Sequence, residues 1–188
     1  MDFEFYYSEY QGVIISMGLE TTDHVLVASV KRQAISHFHN GTSVKAYRMS
    51  SSKRPPSCRE GSLGTPWGLH EVCQKIGSGE PLGTVFEGRA SLGLRYWECS
   101  EEKQAKNLIT TRILRLMGLQ EGLNLGGSVD TFDRYVYIHG TNHEDRLGKP
   151  SSSGCLQMSN DEVSELFDVV PLGSHLYISI DADNASTI

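Results

Sequence analysis

The sequence lacks several things that would have narrowed its chemistry early. None of its four cysteines (Cys58, Cys73, Cys99 and Cys155) stands in a C-x-x-C pair, which speaks against a zinc ribbon or a thioredoxin-type motif. Their number permits disulfides without requiring any, and Cys73 with Cys99 is the pairing to test; Cys58, in a Ser/Pro-rich stretch, is expected to be exposed. Basic residues are in deficit, with a formal net charge of -6. Nucleic acid is therefore not expected as a partner, because phosphate binding needs a clustered surplus of Lys and Arg. The one basic cluster, Lys53-Arg54 with Arg59, reads as a solvated loop. Long apolar runs are missing too. Met1 is followed by Asp2-Phe3-Glu4-Phe5 rather than a basic segment, and the run Gly12 to Met17 is too short for a signal core or a membrane span. No internal repeat or low-complexity tract is visible.

What is present is an ordinary globular composition, 38% hydrophobic and 21% charged over 188 residues. That length fits one domain spanning residues 1–188, large enough for a core without metal or disulfide staples. Short β-branched runs dominate. Val25 to Val30 and Gln33 to His39 read as strands, and Asn40-Gly41 as a hairpin turn leading to a returning strand at Ser43 to Met49. Further strands are expected at Gly68 to Ile76, Thr84 to Gly88, Asn107 to Met117, Arg134 to His139 and Leu176 to Ile180. Residues 50–66 and 77–84 read as loops. One helix is well signalled: Ser159 can cap it, Glu162 completes a capping box, and Val163, Leu166, Phe167 and Val170 share a face before Pro171. A weaker helix is expected at Glu101 to Asn107. Tyr6, Tyr7 and Tyr10 read as part of an element packed on the core. The fold class is mostly β, with one or two short helices.

The segment from Tyr137 to Asn160 carries the chemistry. A strand delivers His139, Gly140 follows, and a Gly- and Ser-rich loop leads to Gly154-Cys155 just ahead of the capped helix. A thiolate is a strong nucleophile, and a nearby imidazole or helix N-terminus lowers its pKa. Gly154 permits close backbone approach, and N–H groups near Cys155 suit an oxyanion hole. A buried structural Cys beside a strand-end His is the competing reading.

His139-Gly140-Thr141-Asn142, Gly148, Ser152-x-Gly154-Cys155, Met158 and Asn160 together resemble the signature of the YkuD-type L,D-transpeptidases. Gly64-Thr65-Pro66-Trp67-Gly68 is similar to that family's T-P-x-G turn, and the likeness covers about residues 25–180. The resemblance implies a YkuD-like β-sandwich and a peptidoglycan stem tetrapeptide as acyl donor. Cys155 would be the thioester-forming nucleophile, His139 the base, Gly140 its backbone orienter, and Gly154 a contributor to the oxyanion hole. An amine acceptor gives transpeptidation; water on the same site gives an L,D-carboxypeptidase or amidase; a non-catalytic peptide-binding domain is the third alternative. Thr141, Asn142, Ser152, Ser153 and Gln157 are the expected substrate-binding residues. No metal or cofactor is implied, and the implied compartment is periplasmic or cell-wall associated. Two positions depart from the pattern: Ser153 stands where many members have His, and Gln157 where Arg is usual.

Outside this segment, His37 and His39 fall on one face of a strand without a third ligand at matching spacing. His24, His70 and His175 look isolated, and His143 reads as a surface residue. Arg112 and Arg115, with Arg134 further on, read as solvated charges, with carboxylate recognition the alternative.

Overall fold

The computed structural model describes residues 3–180. Strands β1 (His24–Ser29), β2 (Ala34–His39) and β3 (Thr42–Arg48) form an antiparallel meander. Between β2 and β3 stand Asn40 and Gly41, with φ of 49° and 76°, the left-handed values that a tight hairpin turn needs. The remaining strands are β4 (Gly68–Ile76), β5 (Thr84–Glu87), β6 (Ala90–Arg95), β7 (Ile109–Gly118), β8 (Tyr137–Gly140), β9 (Leu156–Met158) and β10 (His175–Ser179).

All ten belong to one sheet, ordered β3-β2-β1-β10-β4-β7-β5-β6, with β8 pairing β7 and β9 pairing β8. Two pairings are parallel, β1 with β10 and β8 with β9. Beyond β3 the chain bridges back to the far branch, Ser50 opposite Gln157 and Ser52 opposite Ser152. The sheet thus curls until its two ends meet, and the enclosed face becomes the core. Leu26, Ile35, Leu114, Leu116, Ile138, Leu156 and Leu176 fill it, and helix α3 (Asn160–Val169) adds Val163, Leu166 and Phe167. Fully burying each such side chain contributes roughly 1.5–3 kcal/mol. Ser159 caps α3 by accepting from the Glu162 N–H, as the capping box predicts.

A second apolar layer covers the opposite face of β1. Val25 and Val27 point to it while Leu26 and Ala28 point to the core, so β1 is buried on both sides and its sequence reads as a continuous apolar run. The cover is helix α1 (Glu4–Met17), through Phe3, Tyr6, Tyr7, Tyr10 and Ile14. The tyrosines do pack on the core, but the helix itself is an addition to the sequence reading. Its period is blurred because Phe5 and Ile15 are exposed, at 63% and 76%, which puts apolar residues on both faces. The weaker helix is a single turn, α2 (Glu101–Gln104).

Other expectations need correction. β8 starts at Tyr137 rather than Arg134, because Tyr135 adopts φ 56° and turns the chain. β6 and β9 carry little β-branched signal and were not anticipated. All four cysteines are free, and Cys58 is buried rather than exposed. Arg112 and Arg115 are buried rather than solvated. Arg112 donates to the carbonyls of Glu80 and Thr111, and Arg115 to Phe132 O and Gln74 Oε1.

Candidate active site

His139 is fixed by backbone pairing on both sides. In β8 it lies opposite Ile113 of β7 and Gln157 of β9. Gly140 follows because nothing larger fits: a Cβ there would sit 2.7 Å from Thr110 O and 2.8 Å from Asn160 Oδ1. The Gly140 carbonyl accepts a hydrogen bond from His139 Nδ1 at 2.7 Å. A carbonyl can only accept, so Nδ1 carries the proton and Nε2 keeps its lone pair. Burial holds the imidazole pKa down to about 4, despite the opposing pull of the Gly140 carbonyl. At neutral pH the ring is therefore an uncharged acceptor, which is what a general base needs to be.

Cys155 is held by a different kind of scaffold. Ser151 and Ser152 both donate their N–H groups to Ser51 O, and Lys53 N–H donates to Ser152 O. The two serine-rich stretches, 50–52 and 151–152, are thereby zipped together. Ser152 Oγ donates to Cys155 O at 2.6 Å and accepts from Gly154 N–H at 3.2 Å, closing a tight loop over the cysteine. Gly154 takes φ 129°, in the region that favours glycine. The thiol donates to Tyr135 O at 3.6 Å.

Desolvation of the sulfur pushes the thiol pKa up to about 11, while the Tyr137 N–H and the Arg134 charge pull it back. The residue as a whole stays partly exposed, so this burial is local to the sulfur. No helix dipole helps. β9 separates Cys155 from α3, and the Asn160 N–H at that helix start is taken by the Glu144 carboxylate at 2.8 Å.

Two cavities meet at Cys155. One, of about 180 Å³, is lined by His139, Asn107, Ile109, Ser152, Ser153 and Gln157 together with the cysteine. The other, of about 250 Å³, places Cys155, Ser153 and Gly154 beside Glu60, Leu63, Arg134 and Tyr135. The fold thus brings the two ends of the H-G…G-C motif to one cavity wall.

The five expected binding residues separate. Ser152, Ser153 and Gln157 line the cavities. The Gln157 side chain is committed to the loop, accepting from Ser151 Oγ at 2.7 Å. Thr141 and Asn142 line neither cavity. Thr141 donates its N–H to Met158 O and accepts at Oγ1 from His143 N–H. Asn142 accepts from Leu108 N–H and donates to Gln104 O, tying β7 and α2 to the end of β8. Asn160 is a buried hub, with Oδ1 accepting from the hydroxyls of Thr110 and Thr111 and Nδ2 donating to Thr141 O.

Glu60, Asn107, Ile109 and Tyr135 were not singled out from sequence. Glu60, Asn107 and Ile109 come from segments remote from the motif, marked only by non-local packing, whereas Tyr135 stands four residues before His139 in a turn the sequence does not signal. The histidines regroup as well: His24 Nδ1 lies 2.9 Å from His37 Nε2, and His39 stacks on His24 at 4.4 Å between centroids. Among the described residues, no three His, Cys, Asp or Glu are placed to hold a metal ion, and no helix is long and apolar enough to cross a membrane.

Known proteins resemble this chain in sequence and in fold. A Bacillus subtilis protein named as an L,D-transpeptidase, YqjB, is 47% identical over 51 residues, 27% of this chain and 29% of its own length. ErfK/SrfK of Escherichia coli, also named as an L,D-transpeptidase, is 42% identical over 45 residues, 24% of this chain and 14% of its own. This chain thus aligns to less than a third of either relative. The fold is shared with an L,D-transpeptidase from Mycobacterium smegmatis, at TM-score 0.53 and 17% identity over 84% of this chain and 58% of that one. L,D-transpeptidase 3 from Mycobacterium tuberculosis, solved with a faropenem-derived adduct, gives TM-score 0.53 at 14% identity, over 84% of this chain and 60% of that one. The profile of the YkuD L,D-transpeptidase catalytic domain matches residues 23–178, and the chain belongs to that family.

Proposed function

We propose that the chain is a cysteine-dependent L,D-transpeptidase acting on peptidoglycan stem peptides through a thioester on Cys155. The observation that carries this reading is the shared cavity, lined both by the thiol residue and by a neutral imidazole whose Nδ1 is locked on Gly140 O. With the thiol near 11 and the imidazole near 4, a preformed ion pair is not the resting state. Attack is therefore coupled to proton transfer: the sulfur swings from Tyr135 O, His139 Nε2 takes its proton, and the C–S bond forms on the donor carbonyl. Collapse of the tetrahedral intermediate breaks the amide C–N bond, and the imidazolium returns the proton to the departing D-Ala amine. The acceptor amine then attacks the thioester, His139 takes its proton, and collapse breaks the C–S bond as the imidazolium passes that proton to the departing sulfur.

Gly154 N–H is engaged by Ser152 Oγ and must turn toward the oxyanion if it is to stabilise it, which leaves the Cys155 N–H as its nearer companion. Ser153, on both cavities, borders donor and acceptor alike. Two cavities flanking one nucleophile favour an amine acceptor over water, since each peptide can hold its own side. A substrate of this kind places the working protein in the periplasm or cell wall. No metal or cofactor enters the scheme.

The test is incubation with a tetrapeptide muropeptide under reducing conditions, followed by mass spectrometry. An acyl adduct on Cys155 and a cross-linked dimer are expected. An adduct released only as tripeptide assigns the site to a carboxypeptidase. No adduct with any stem peptide rejects the enzymatic reading and leaves peptide binding.

A further inference from the structure

The nucleophile's own segment offers no cation: residues 150–160 contain neither Lys nor Arg. A positive charge reaches Cys155 from elsewhere in the fold. Arg134 stands in the turn before β8 and, among the described residues, is the one Lys or Arg lining either cavity that Cys155 lines. Backbone contacts place it firmly. Its Nη2 donates to Gly64 O at 2.7 Å and approaches Ser62 Oγ at 3.4 Å. Gly64 O in turn lies 3.6 Å from where a Cβ of Gly154 would stand. From the other side, the Cys155 thiol bonds to the carbonyl of Tyr135, the residue next to Arg134. Arg134 Nη1 is buried and has no hydrogen-bond partner. An unpaired buried donor on a charged group is costly, and this one belongs to a guanidinium that lines the cavity of Cys155 and interacts with Cys58, Cys155 and Glu60.

We propose that Arg134 is the electrostatic partner of the Cys155 thiolate, a positioning residue whose charge favours the ionised nucleophile across the cavity the two share. The step it assists is the loss of the thiol proton to His139 Nε2. Sulfur becomes S⁻, the imidazole becomes imidazolium, and Arg134 stays cationic throughout. The opposing influence is desolvation of the sulfur, which raises the thiol; the Tyr137 N–H and the guanidinium lower it. Glu60 and Asp133 line the same cavity. Arg89 and Arg115 lie over the Tyr135 ring, at 5.0 and 5.3 Å from its centroid. Buried Cys58 also interacts with the Arg134 charge. This inference rests on Cys155 being the nucleophile, but its test needs no peptidoglycan.

The test is alkylation of Cys155 by iodoacetamide from pH 6 to 10, resolved by peptide mass spectrometry to exclude the other cysteines. In R134Q the rate at pH 8 is expected to fall about tenfold, since one pKa unit is a tenfold change in thiolate, with the whole profile displaced to higher pH. R134K keeps the charge and is expected to stay within about threefold of the parent. An R134Q profile within about twofold of the parent at every pH overturns the proposal. So does an R134K loss as large as that of R134Q, which would make Arg134 a loop anchor. Should R134Q not fold, the parent protein decides: iodoacetate should outpace iodoacetamide at Cys155 relative to a small free thiol, and a ratio at or below that thiol's overturns the proposal. A protein that makes no cross-links yet shows the alkylation shift rejects the transpeptidase reading alone.

Discussion

β8 and the loop before β9 hold the two halves of the site by different means. β8 fixes His139 with ladder hydrogen bonds to β7 and β9, and Gly140 leaves no slack against Thr110 and Asn160. The 151–155 loop has one isolated bridge, Ser52 to Ser152, and backbone bonds to Ser51 at its start; at Gly154 and Cys155 the Ser152 hydroxyl holds it. The proposed base is therefore a rigid reference point, while the proposed nucleophile sits on a loop with its sulfur bonded to the Tyr135 carbonyl. A backbone-built site tolerates little substitution. A side-chain-built one should lose activity in increments.

The largest expected effect removes either half outright. Cys155→Ser and His139→Ala are each expected to lower turnover on the order of 10³-fold or more, read as dimer formation; near-normal turnover in either removes it from the mechanism. Gly140→Ala tests the rigid side. The added methyl meets Thr110 O at 2.7 Å, so a loss of about 1–3 kcal/mol in urea unfolding is expected, with activity falling alongside. An unchanged urea midpoint would show that β8 is looser than its packing indicates. Ser152→Ala tests the other side. It deletes the bonds to Cys155 O and Gly154 N–H, each worth about 1 kcal/mol. The thermal midpoint is expected to fall by roughly 4–8 °C and kcat/KM by about tenfold; an unchanged kcat/KM would show that these two bonds do not position the thiol.

The smallest effect is one of pH. Burial depresses His139, and also His70, to about 4 in the folded chain, whereas the unfolded imidazole titrates near 6.5. The unfolded state thus binds more protons between these values. The stability held above pH 6.5 is lost as pH falls toward 4, on the order of 2 kcal/mol per histidine by pH 5. Urea midpoints at pH 7 and 5 check this. The acid limb of kcat/KM should correspondingly lie near pH 4, and a limb at 6.5 would mean that the base is more solvated than β8 suggests.

Much of this was legible before any fold was known. The Asn40-Gly41 hairpin, the Ser159–Glu162 capping box and the β-branched strands are encoded by steric and hydrogen-bonding preferences within a few residues. α1 was not, because Phe5 and Ile15 spoil its period. Nor was the turn at Tyr135, since a left-handed tyrosine has no sequence signature. Within the site, Thr141 and Asn142 sit inside a conspicuous motif yet bond to backbone rather than to a cavity, whereas Glu60 and Tyr135 sit in no motif and line one.

By itself, then, the sequence determined that a His-Gly strand end and a Ser-x-Gly-Cys loop precede a capped helix, because glycine positions and caps are short-range requirements. The tertiary structure decided the electrostatics. Whether the thiol is raised or lowered depends on desolvation and on charges brought in by remote segments, and these are set by how the sheet closes through Ser50 and Gln157 rather than by any neighbour in the chain. From sequence Arg134 reads as a solvated charge opening a strand; only the fold puts it in a turn, with an unpaired Nη1, on the cavity of Cys155.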